Sequence, residues 1–579
     1  MAISDVLNSS KLGLFASQGA MKVISHNIAN VNTAGYSRQT VALSANPGIV
    51  MSGKPTASGD GVQIARVGHQ VDELLENRLR MGSGDIGRLS ARDRFMKIIE
   101  DNFNEFDKDG FSTRLSAFFD AVDDAATNPT NSAARIQVVS QAQSLSNTVN
   151  QMYRTLNDID VPIDQEITGV VNDINTKIKS LRDINAMVVR QNAGNKGDVA
   201  LDLIDQRTTL LKELNDLIDI QPIEQQDGGV MVVTSGGQLL MDHDYAVQLS
   251  RGKGSVKPTS IVVDGNDNTD ITRQIRSGTL KGLLEIRDEV LGGDQGFIAY
   301  FNKLTDELRR QVNQVYSQSV GHTMNQKLTG TVYVDSDRVT TAPLTELASS
   351  VQAGKIVLAY GPDDRHLQSA TIEVTNDMTL DSLSVAINDI AGLTASVING
   401  RLVIEGEENS RFAVASDSSR ALAALGVGTL FSGSGSVDMA VNPELLVEKG
   451  GDPARLATAR IQVASNGTVT FDDANNGGMV ALAALRNEKI NLFGERATFT
   501  AHYATLVSHV GSIQQRNQDA LTTQQTAQQF LSDARESTSG VSLDEELTDM
   551  VKFQRSFQAS SRMITVADEL FKSILSMGV

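Results

Sequence analysis

Apolar residues recur at intervals of seven along the first thirty residues of the chain. The positions are Leu7, Leu14, Met21 and Ile28. This spacing places them on one face of an amphipathic helix. The intervening positions Lys11, Gln18 and Ser25 are polar, whereas a two-stranded coiled coil favours apolar residues there as well. The pattern therefore predicts an N-terminal helix that packs in an environment shared by several helices.

The last forty residues repeat this coiled-coil type of spacing, with steps that alternate between four and three when the polar positions Gln554, Ser561 and Asp568 are included. The apolar positions are Leu543, Leu547, Met550, Phe557, Ile564 and Phe571. Such a face has to be buried against something. Either the two terminal helices pack on each other within one chain, or they pack on other subunits and act as polymerisation elements. Periodicity alone leaves both arrangements open.

The middle of the chain changes period several times. Helical periodicity dominates 71–329 and returns at 476–540, whereas alternation with turn residues predicts hairpins near 223–282 and strands through 330–475. We therefore predict an α+β multidomain fold, a long helical bundle built from the N- and C-terminal segments with inserted β-rich domains. The predicted parts are a terminal helix with an extended segment (1–70), a helical bundle with the hairpin insert (71–329), a β-rich inserted domain (330–475), return helices (476–540) and a C-terminal helix (541–579).

Composition narrows the possible partners and cellular routes. The formal net charge of −19 argues against binding to nucleic acid or to an anionic membrane, because both would be repelled at long range. The chain has no cysteine, which excludes disulfides and thiolate metal sites. Residues 1–8 lack the basic and apolar regions of a cleaved signal peptide, and no stretch approaches the ~20 apolar residues of a membrane span. We expect no membrane insertion.

Three motifs imitate ligand sites without completing them. The segment 82–87 reads G-x-G-x-x-G but follows a helical pattern and not a strand, so we interpret it as a kink or flexible turn. Acidic residues at 105, 107 and 109 precede Gly110, but Ser116 stands where a calcium loop needs its closing acid. The second acidic run, 264–270, lacks that acid too. We interpret both runs as solvated turns.

No constellation for catalysis stands out. None of the seven histidines belongs to an H-E-x-x-H motif, and no G-x-S-x-G segment is present. We therefore predict that the protein is not an enzyme and uses no metal or cofactor.

A short segment after the first helix carries the clearest signature. Its motif residues are Asn27, Asn30, Asn32, Thr33, Gly35 and Tyr36. The segment resembles the N-terminal signature of flagellar rod, hook and hook-associated proteins. Its ending, Gly-Tyr-Ser-Arg-Gln at 35–39, is more similar to the family of the first hook–filament junction protein. The segments 543–547 and 553–562 resemble the C-terminal helix of that family.

The resemblance implies a structural role at the hook–filament junction of the bacterial flagellum, and so in motility. In that family the terminal helices form the inner tube of the axial structure and the middle domains face outward. It also implies an extracellular location, reached through flagellar type III export without a cleaved signal. The implied partners are hook protein, the second hook–filament junction protein, like subunits in a ring, and a cytosolic export chaperone on the C-terminal helix. The ten apolar residues of the two terminal helices would then be subunit contacts.

Two other interpretations remain open. A hook or distal rod subunit would share the N-terminal signature. A secreted adhesin or binding module would use the β-rich middle, 330–475, for recognition, and its termini would be dispensable. A flagellar scaffold that carries an enzyme is disfavoured by the missing catalytic motifs.

Overall fold

The computed structural model describes residues 3–33, 35–46, 61–103, 110–194, 201–243, 245–252, 259–264, 269–363, 366–407, 410–464, 466–472 and 474–577. The chain divides into two compact units. The first unit comprises Met1–Phe95, Pro162–Glu285 and Gln515–Val579, and the second comprises Met96–Val161 and Ile286–Gln514. Each unit is therefore assembled from stretches that are distant in sequence.

Fifteen α-helices run through the described part of the chain. They are α1 (Ile3–Ala29), α2 (Glu73–Asn102), α3 (Phe111–Thr127), α4 (Ser132–Asp158), α5 (Asp160–Gly194), α6 (Leu201–Leu217), α7 (Thr279–Glu285), α8 (Phe297–Tyr316), α9 (Ser336–Val339), α10 (Leu344–Leu347), α11 (Leu380–Asn388), α12 (Ala421–Ala424), α13 (Gly477–Ala484), α14 (Phe499–Ser539) and α15 (Leu543–Met577).

The described strands are short. They are β1 (Gln39–Ala45), β2 (Val62–His69), β3 (Ile220–Glu224), β4 (Val230–Thr234), β5 (Leu239–Asp242), β6 (Tyr245–Ala246), β7 (Leu249–Arg251), β8 (Ile261–Val263), β9 (Thr269–Asp270), β10 (Lys327–Thr329), β11 (Gly354–Gly361), β12 (Gln368–Val374), β13 (Leu393–Ile398), β14 (Arg401–Gly406), β15 (Arg411–Asp417), β16 (Phe431–Ser432), β17 (Ala440–Val441), β18 (Gln462–Val463), β19 (Val469–Thr470), β20 (Ile490–Leu492) and β21 (Glu495–Ala497). Long helices at both ends with small sheets between them confirm the predicted α+β class.

In the first unit, the N-terminal helix lies against a hairpin and against the C-terminal helix. The hairpin β1–β2 is antiparallel and pairs Gln39 with His69, and α1 packs on both β2 and α15. Further along, β3 to β6 form a four-stranded sheet and β7 to β9 a three-stranded one. Alternate residues of β4, Val230, Val232 and Thr234, are buried, as a strand with one covered face requires.

In the second unit, one apolar core is built largely from two three-stranded sheets and one helix. The strand orders are β12–β11–β15 and β10–β14–β13. Helix α11 is fixed at its start because the Thr379 hydroxyl accepts a hydrogen bond from the Ser382 backbone N–H, the first half of a capping box. Its buried residues Leu380, Leu383 and Ile387 belong to this core. The three- and four-residue spacing of these side chains follows the helical period.

The glycine-rich segment 82–87 is not a turn, so that part of the sequence interpretation is wrong. It lies in the interior of α2. A Cβ atom on Gly84 would lie 2.7 Å from the Asn215 Nδ2 atom, and one on Gly87 would meet the backbone oxygen of Asp216. The glycines therefore allow α2 and α6 to approach closely, a packing requirement that overrides the low helix propensity of glycine.

The suspected calcium loops fall largely outside the described residues. Residues 105, 107 and 109 lie there, as do 266 and 268. Asp270 accepts a hydrogen bond from the Thr272 backbone N–H at 2.9 Å. Within the described ranges, no group of three or more histidine, aspartate or glutamate side chains is arranged to hold a metal ion. No helix in this part of the chain is both long and apolar enough to cross a membrane.

Candidate functional site

The two terminal helices pack on each other through small side chains. Ala16 and Ala20 of α1 and Ala567 of α15 are buried. A Cβ atom on Gly13 would lie 3.0 Å from the Ser560 Oγ atom, so the helix backbones are close. The Ser17 hydroxyl donates to Ser556 Oγ at 3.2 Å. Of the two arrangements that periodicity leaves open, packing within one chain is therefore present.

A buried asparagine connects this helix pair to the segment that follows α1. Asn27 is 1% exposed. Its Nδ2 atom donates to the Gln39 backbone oxygen at 2.9 Å and to Glu546 Oε2 at 3.0 Å. Its Oδ1 atom accepts from the Tyr36 hydroxyl at 2.8 Å and from the Gln39 N–H at 3.0 Å. All the hydrogen-bonding capacity of the amide is used, so Asn27 joins α1, the motif segment and α15.

A charged pair reinforces the same connection. Arg38 Nε donates to Glu546 Oε1 at 2.7 Å, and its Nη1 atom donates to Glu545 Oε2 at 2.7 Å. The Arg38 backbone N–H also donates to the oxygen of Ser539, the last residue of α14, at 2.9 Å. Burial acts to lower the pKa of Arg38, but the hydrogen bonds and charges of Glu546 and Glu545 together outweigh it and raise that pKa. The guanidinium therefore stays charged against its buried carboxylate.

The end of α1 is closed by side chains of the motif. The Asn30 Nδ2 atom donates to the His26 backbone oxygen at 3.0 Å, which also accepts the Asn30 backbone N–H at 3.1 Å. The Thr33 hydroxyl donates to Asn30 Oδ1 at 3.1 Å. Asn32 is exposed in this turn. Asn30 and Thr33 thus end the helix, and the chain can turn back toward Asn27.

Gly35 supplies the backbone conformation that this return needs. Its φ is +82°, and a Cβ atom there would lie 2.8 Å from Thr209 Oγ1, so a side chain would be both strained and crowded. The Gly35 oxygen accepts a hydrogen bond from Arg535 Nη2 at 3.1 Å. Arg535 is held in turn by Glu76, whose Oε1 atom accepts from its Nε at 2.6 Å. Arg535 of helix α14 therefore holds the turn at Gly35 in place.

Two aspartates at the start of α6 hold the other side of the motif segment. Asp205 accepts from the Ser37 N–H at 3.3 Å, and Asp202 accepts from Gln39 Nε2 at 3.0 Å. His69 Nε2 lies 3.5 Å from Asp205 Oδ2. Burial lowers the pKa of His69, although the charge of Asp202 opposes this change.

The same surroundings perturb two acids. Burial raises the pKa of Asp205 to about 7; the Ser37 N–H and the charge of Arg535 oppose this rise, and the charge of Asp202 adds to it. Burial also raises the pKa of Tyr36, with further increases from Asp202, Asp205 and Glu546. Tyr36 is therefore neutral at physiological pH and remains a donor to Asn27.

The ten predicted contact residues fall into two classes. Leu7, Leu543, Leu547 and Phe571 are exposed, with Leu547 at 53% and Phe571 at 57%. The other six are partly buried: Leu14, Met21, Ile28, Met550, Phe557 and Ile564. Further large apolar side chains, absent from the predicted set, are exposed on the same helices: Phe15, Val551, Met563, Val566, Leu570 and Ile574. The helix pair therefore presents exposed apolar side chains after its own packing is complete.

Sequence reasoning missed the charged half of the site. Glu546 lies within the C-terminal segment that carries the family resemblance, and Arg38 lies within the N-terminal one, but nothing in either segment relates them. Asp202 and Asp205 lie outside both. The signal that could have identified Glu546 is its position among three consecutive acids, 544–546, at the start of a helix.

Comparison with known proteins gives matches at both ends of the chain and in its middle. Residues 96–332 match the model of the helical domain of flagellar hook-associated protein FlgK. Residues 7–36 match the flagella basal body rod protein family, and residues 527–577 match the C-terminal region of flagellar basal body rod FlgEFG proteins. The two terminal matches contain Asn27 and Glu546.

Three relatives that match this chain over nearly its whole length are all named flagellar hook-associated protein 1. Flagellar hook-associated protein 1 of Salmonella typhimurium is 28% identical over 602 residues, covering 99% of this chain and all of the relative. The proteins of that name in Escherichia coli and Bacillus subtilis are 25% and 23% identical, each over 99% of this chain and over 100% and 98% of the relative. The structure of the flagellar hook junction protein FlgK from Burkholderia pseudomallei matches with a TM-score of 0.52 and 14% identity, over 80% of this chain and all of that one. It supports the fold.

Proposed function

The chain belongs to the FlgK family of flagellar hook-associated proteins, and from this premise we propose that it is a structural subunit connecting the flagellar hook to the filament. The observation that carries the proposal is the terminal helix pair. Asn27 and Glu546 join the two ends of the chain in a buried hydrogen-bonded site, while large apolar side chains of both helices stay exposed.

Exposed apolar side chains on this pair favour association with other axial subunits. Burying one large apolar side chain contributes about 1.5–3 kcal/mol, and several residues of each helix are available. Family membership places the chain in the flagellum, in association with hook and other flagellar components. In our proposal the ten predicted residues, together with the additional exposed ones, supply these contacts. The six partly buried residues would stabilise the packing of α1 on α15, and neighbouring axial subunits would bind this packed pair.

The specific partners follow from the same premise. We propose contacts with hook protein on one side, with the second hook–filament junction protein on the other, and with like subunits in a ring. Before export, a cytosolic chaperone would cover the C-terminal helix, since exposed apolar surface promotes self-association. Export would proceed without a cleaved signal peptide, and the β-rich part, 330–475, would face outward. The role is mechanical and requires no catalysis.

Deletion of the gene in the source bacterium tests the proposal. Electron microscopy should show hooks without filaments, and flagellin should appear in the medium. Wild-type protein supplied in trans should restore filaments. The N27A variant, with its four hydrogen bonds lost, should fail to do so, whereas N32A, altered at an exposed residue of the same motif, should succeed. Cells without hooks would indicate a hook or rod subunit, and unchanged filaments would indicate an adhesin or binding module.

A further inference from the structure

The second unit contains a polar groove beside a smaller pocket that has both apolar and charged walls. The groove, about 340 Å³ in volume, is lined by residues of α8, by 347–350, and by residues around α12. The pocket, about 110 Å³, is lined by apolar residues that include Val334, Leu344 and Val351, and also by the charged Asp335 and Arg338. Val332, Leu347, Ala348 and Ala424 line both. The groove and the pocket are therefore adjacent.

The groove is cationic although the chain is acidic. Arg309, Arg310 and Arg420 line it, against Asp306 as its single acidic residue among those described. Arg309 Nη2 binds Asp306 Oδ1 at 2.7 Å, and Arg310 Nη1 binds Glu307. The net charge of the whole chain is −19, so this local excess of arginine favours an anionic ligand. Guanidinium groups bind carboxylates with paired, charge-assisted hydrogen bonds.

Two residues that line the groove have unused hydrogen-bonding atoms. The Arg310 Nε donor and the Gln314 Oε1 acceptor are buried and form no hydrogen bond with any described residue. The other end of the Gln314 amide is fixed, because Nε2 donates to the Asp417 oxygen at 2.8 Å. A peptide main chain offers both complements, a carbonyl oxygen and an N–H. A simple anion offers acceptors alone.

Arg420 is held at the groove at a cost in backbone strain. Its φ is +64°, which disfavours a side chain with a Cβ atom. The strain is compensated by the buried Asp417, which accepts from the Ser419 hydroxyl at 2.6 Å and from the Leu422 N–H at 3.0 Å. Strain of this kind persists where the surroundings over-determine it, and it is concentrated at functional positions.

We propose that this groove binds a peptide segment of a partner protein that carries an apolar side chain followed closely by carboxylates. The apolar side chain occupies the small pocket. The peptide backbone meets Arg310 and Gln314. The carboxylates pair with the guanidinium groups, above all that of Arg420, and this contact selects acidic over amide side chains.

Fluorescence anisotropy with the full-length chain and a labelled octapeptide, Gly-Ser-Leu-Ser-Asp-Glu-Ser-Gly, tests the proposal. The acidic peptide should bind about tenfold more tightly than a version with Asn and Gln in place of Asp and Glu, the size of one charge-assisted contact. Replacing its leucine with glycine should weaken binding by a similar factor. The R420Q variant should lose the preference for acid, whereas R401Q, altered at an exposed arginine of β14 in the same unit, should keep it.

Several results would overturn the proposal. Equal binding of acidic and amide peptides by the wild-type chain would do so without any variant, as would an absence of binding. Competition by free glutamate or glucuronate at the same concentration as the peptide would assign the groove to small acids. Unchanged binding by R420Q would place the peptide elsewhere.

Discussion

Asn27 shows how one residue can determine the path of a chain. Its two donors and its acceptor oxygen serve the Gln39 backbone, Tyr36 and Glu546. If the Asn27 side chain were removed, each of these groups would lose a hydrogen-bond partner, and water could not easily replace it because the site is buried. The motif asparagine therefore acts through satisfied polar groups, whereas the apolar residues of α1 act through packing.

The N27A variant should be markedly less stable in the first unit. Several buried polar groups would be left unpaired, which should cost about 2–5 kcal/mol. Hydrogen exchange measured by mass spectrometry on peptides of α1 and α15 should show faster exchange in both. N32A should exchange at the wild-type rate, because Asn32 is exposed. Faster exchange in α1 alone would contradict the role of Asn27 as a connection between the helices.

The Arg38 and Glu546 pair should show strong coupling. The Glu546 side chain is 2% exposed and that of Arg38 is 18%. The E546Q variant should therefore lose about 1–3 kcal/mol, because the largely buried guanidinium keeps its charge and retains only exposed carboxylates such as Glu545 beside it. A double-mutant cycle with R38Q measures the coupling. E545Q is the matched control: that carboxylate is 63% exposed, and its loss should cost less than about 1 kcal/mol. Equal effects of the two substitutions would contradict this account.

Asp205 should make the first unit weaken as pH rises. The folded protein holds this proton up to pH about 7, whereas an unfolded aspartate releases it near pH ~4. The stabilisation is therefore complete at low pH and is lost as pH rises through 7. The segment 36–39 should open more readily as pH rises from 5 to 8. Hydrogen exchange measures this opening, once the exchange rates are corrected for their intrinsic dependence on pH. The D205N variant should flatten this trend, and D183N, at an exposed aspartate, should retain it.

Part of this site could be predicted at the level of single residues, and part could not. The resemblance at 27–39 identified Asn27, Gly35 and Tyr36, and local physics explains Gly35 through its positive φ. The partner of Asn27 is 519 positions away. No local pattern relates such residues, so Glu546 as a partner, and likewise Asp202 and Asp205, required the tertiary structure.

Among the elements, the terminal helices show where a pattern of apolar positions is informative and where it misleads. The period-seven stripe predicted that α1 and α15 are helices and which of their faces is apolar. It did not predict that Gly13 and Ser17 of α1 contact α15, because small residues give no apolar signal. Small residues also mislead in helix α2. Its glycines at 82–87 suggest a kink or flexible turn from the sequence, but they permit close packing of α2 on α6.

Exposed apolar residues of α15 should matter for assembly and not for the folding of the monomer. Replacing Leu547 or Leu570 with glutamine should change the thermal midpoint of the monomer little, because surface substitutions usually change the free energy of unfolding by less than about 0.5 kcal/mol. The same variants should fail to restore filaments in the deletion strain. A567L, at a buried seam position, should lower the thermal midpoint by overpacking. Full filament formation by L547Q and L570Q together would contradict the proposed contacts.

At the scale of the whole molecule, periodicity was sufficient for the α+β class, because helices and strands differ in period. The composition of each unit was not accessible in this way. The first unit combines three stretches of the chain and the second combines two. Within each unit, residues that contact each other can be hundreds of positions apart in the sequence. Net charge argued against nucleic acid and anionic membranes as partners, but it gave no indication of the arginine-lined groove at α8.

We propose that exposed side chains of the terminal helices contact neighbouring flagellar subunits. The most direct test places a photoreactive amino acid at Leu547 and illuminates intact flagella. The account predicts covalent adducts with neighbouring axial subunits, absent from dilute monomer treated in the same way. Assembled, functional flagella that give no adduct from Leu547, Leu570 or Phe571 would contradict it.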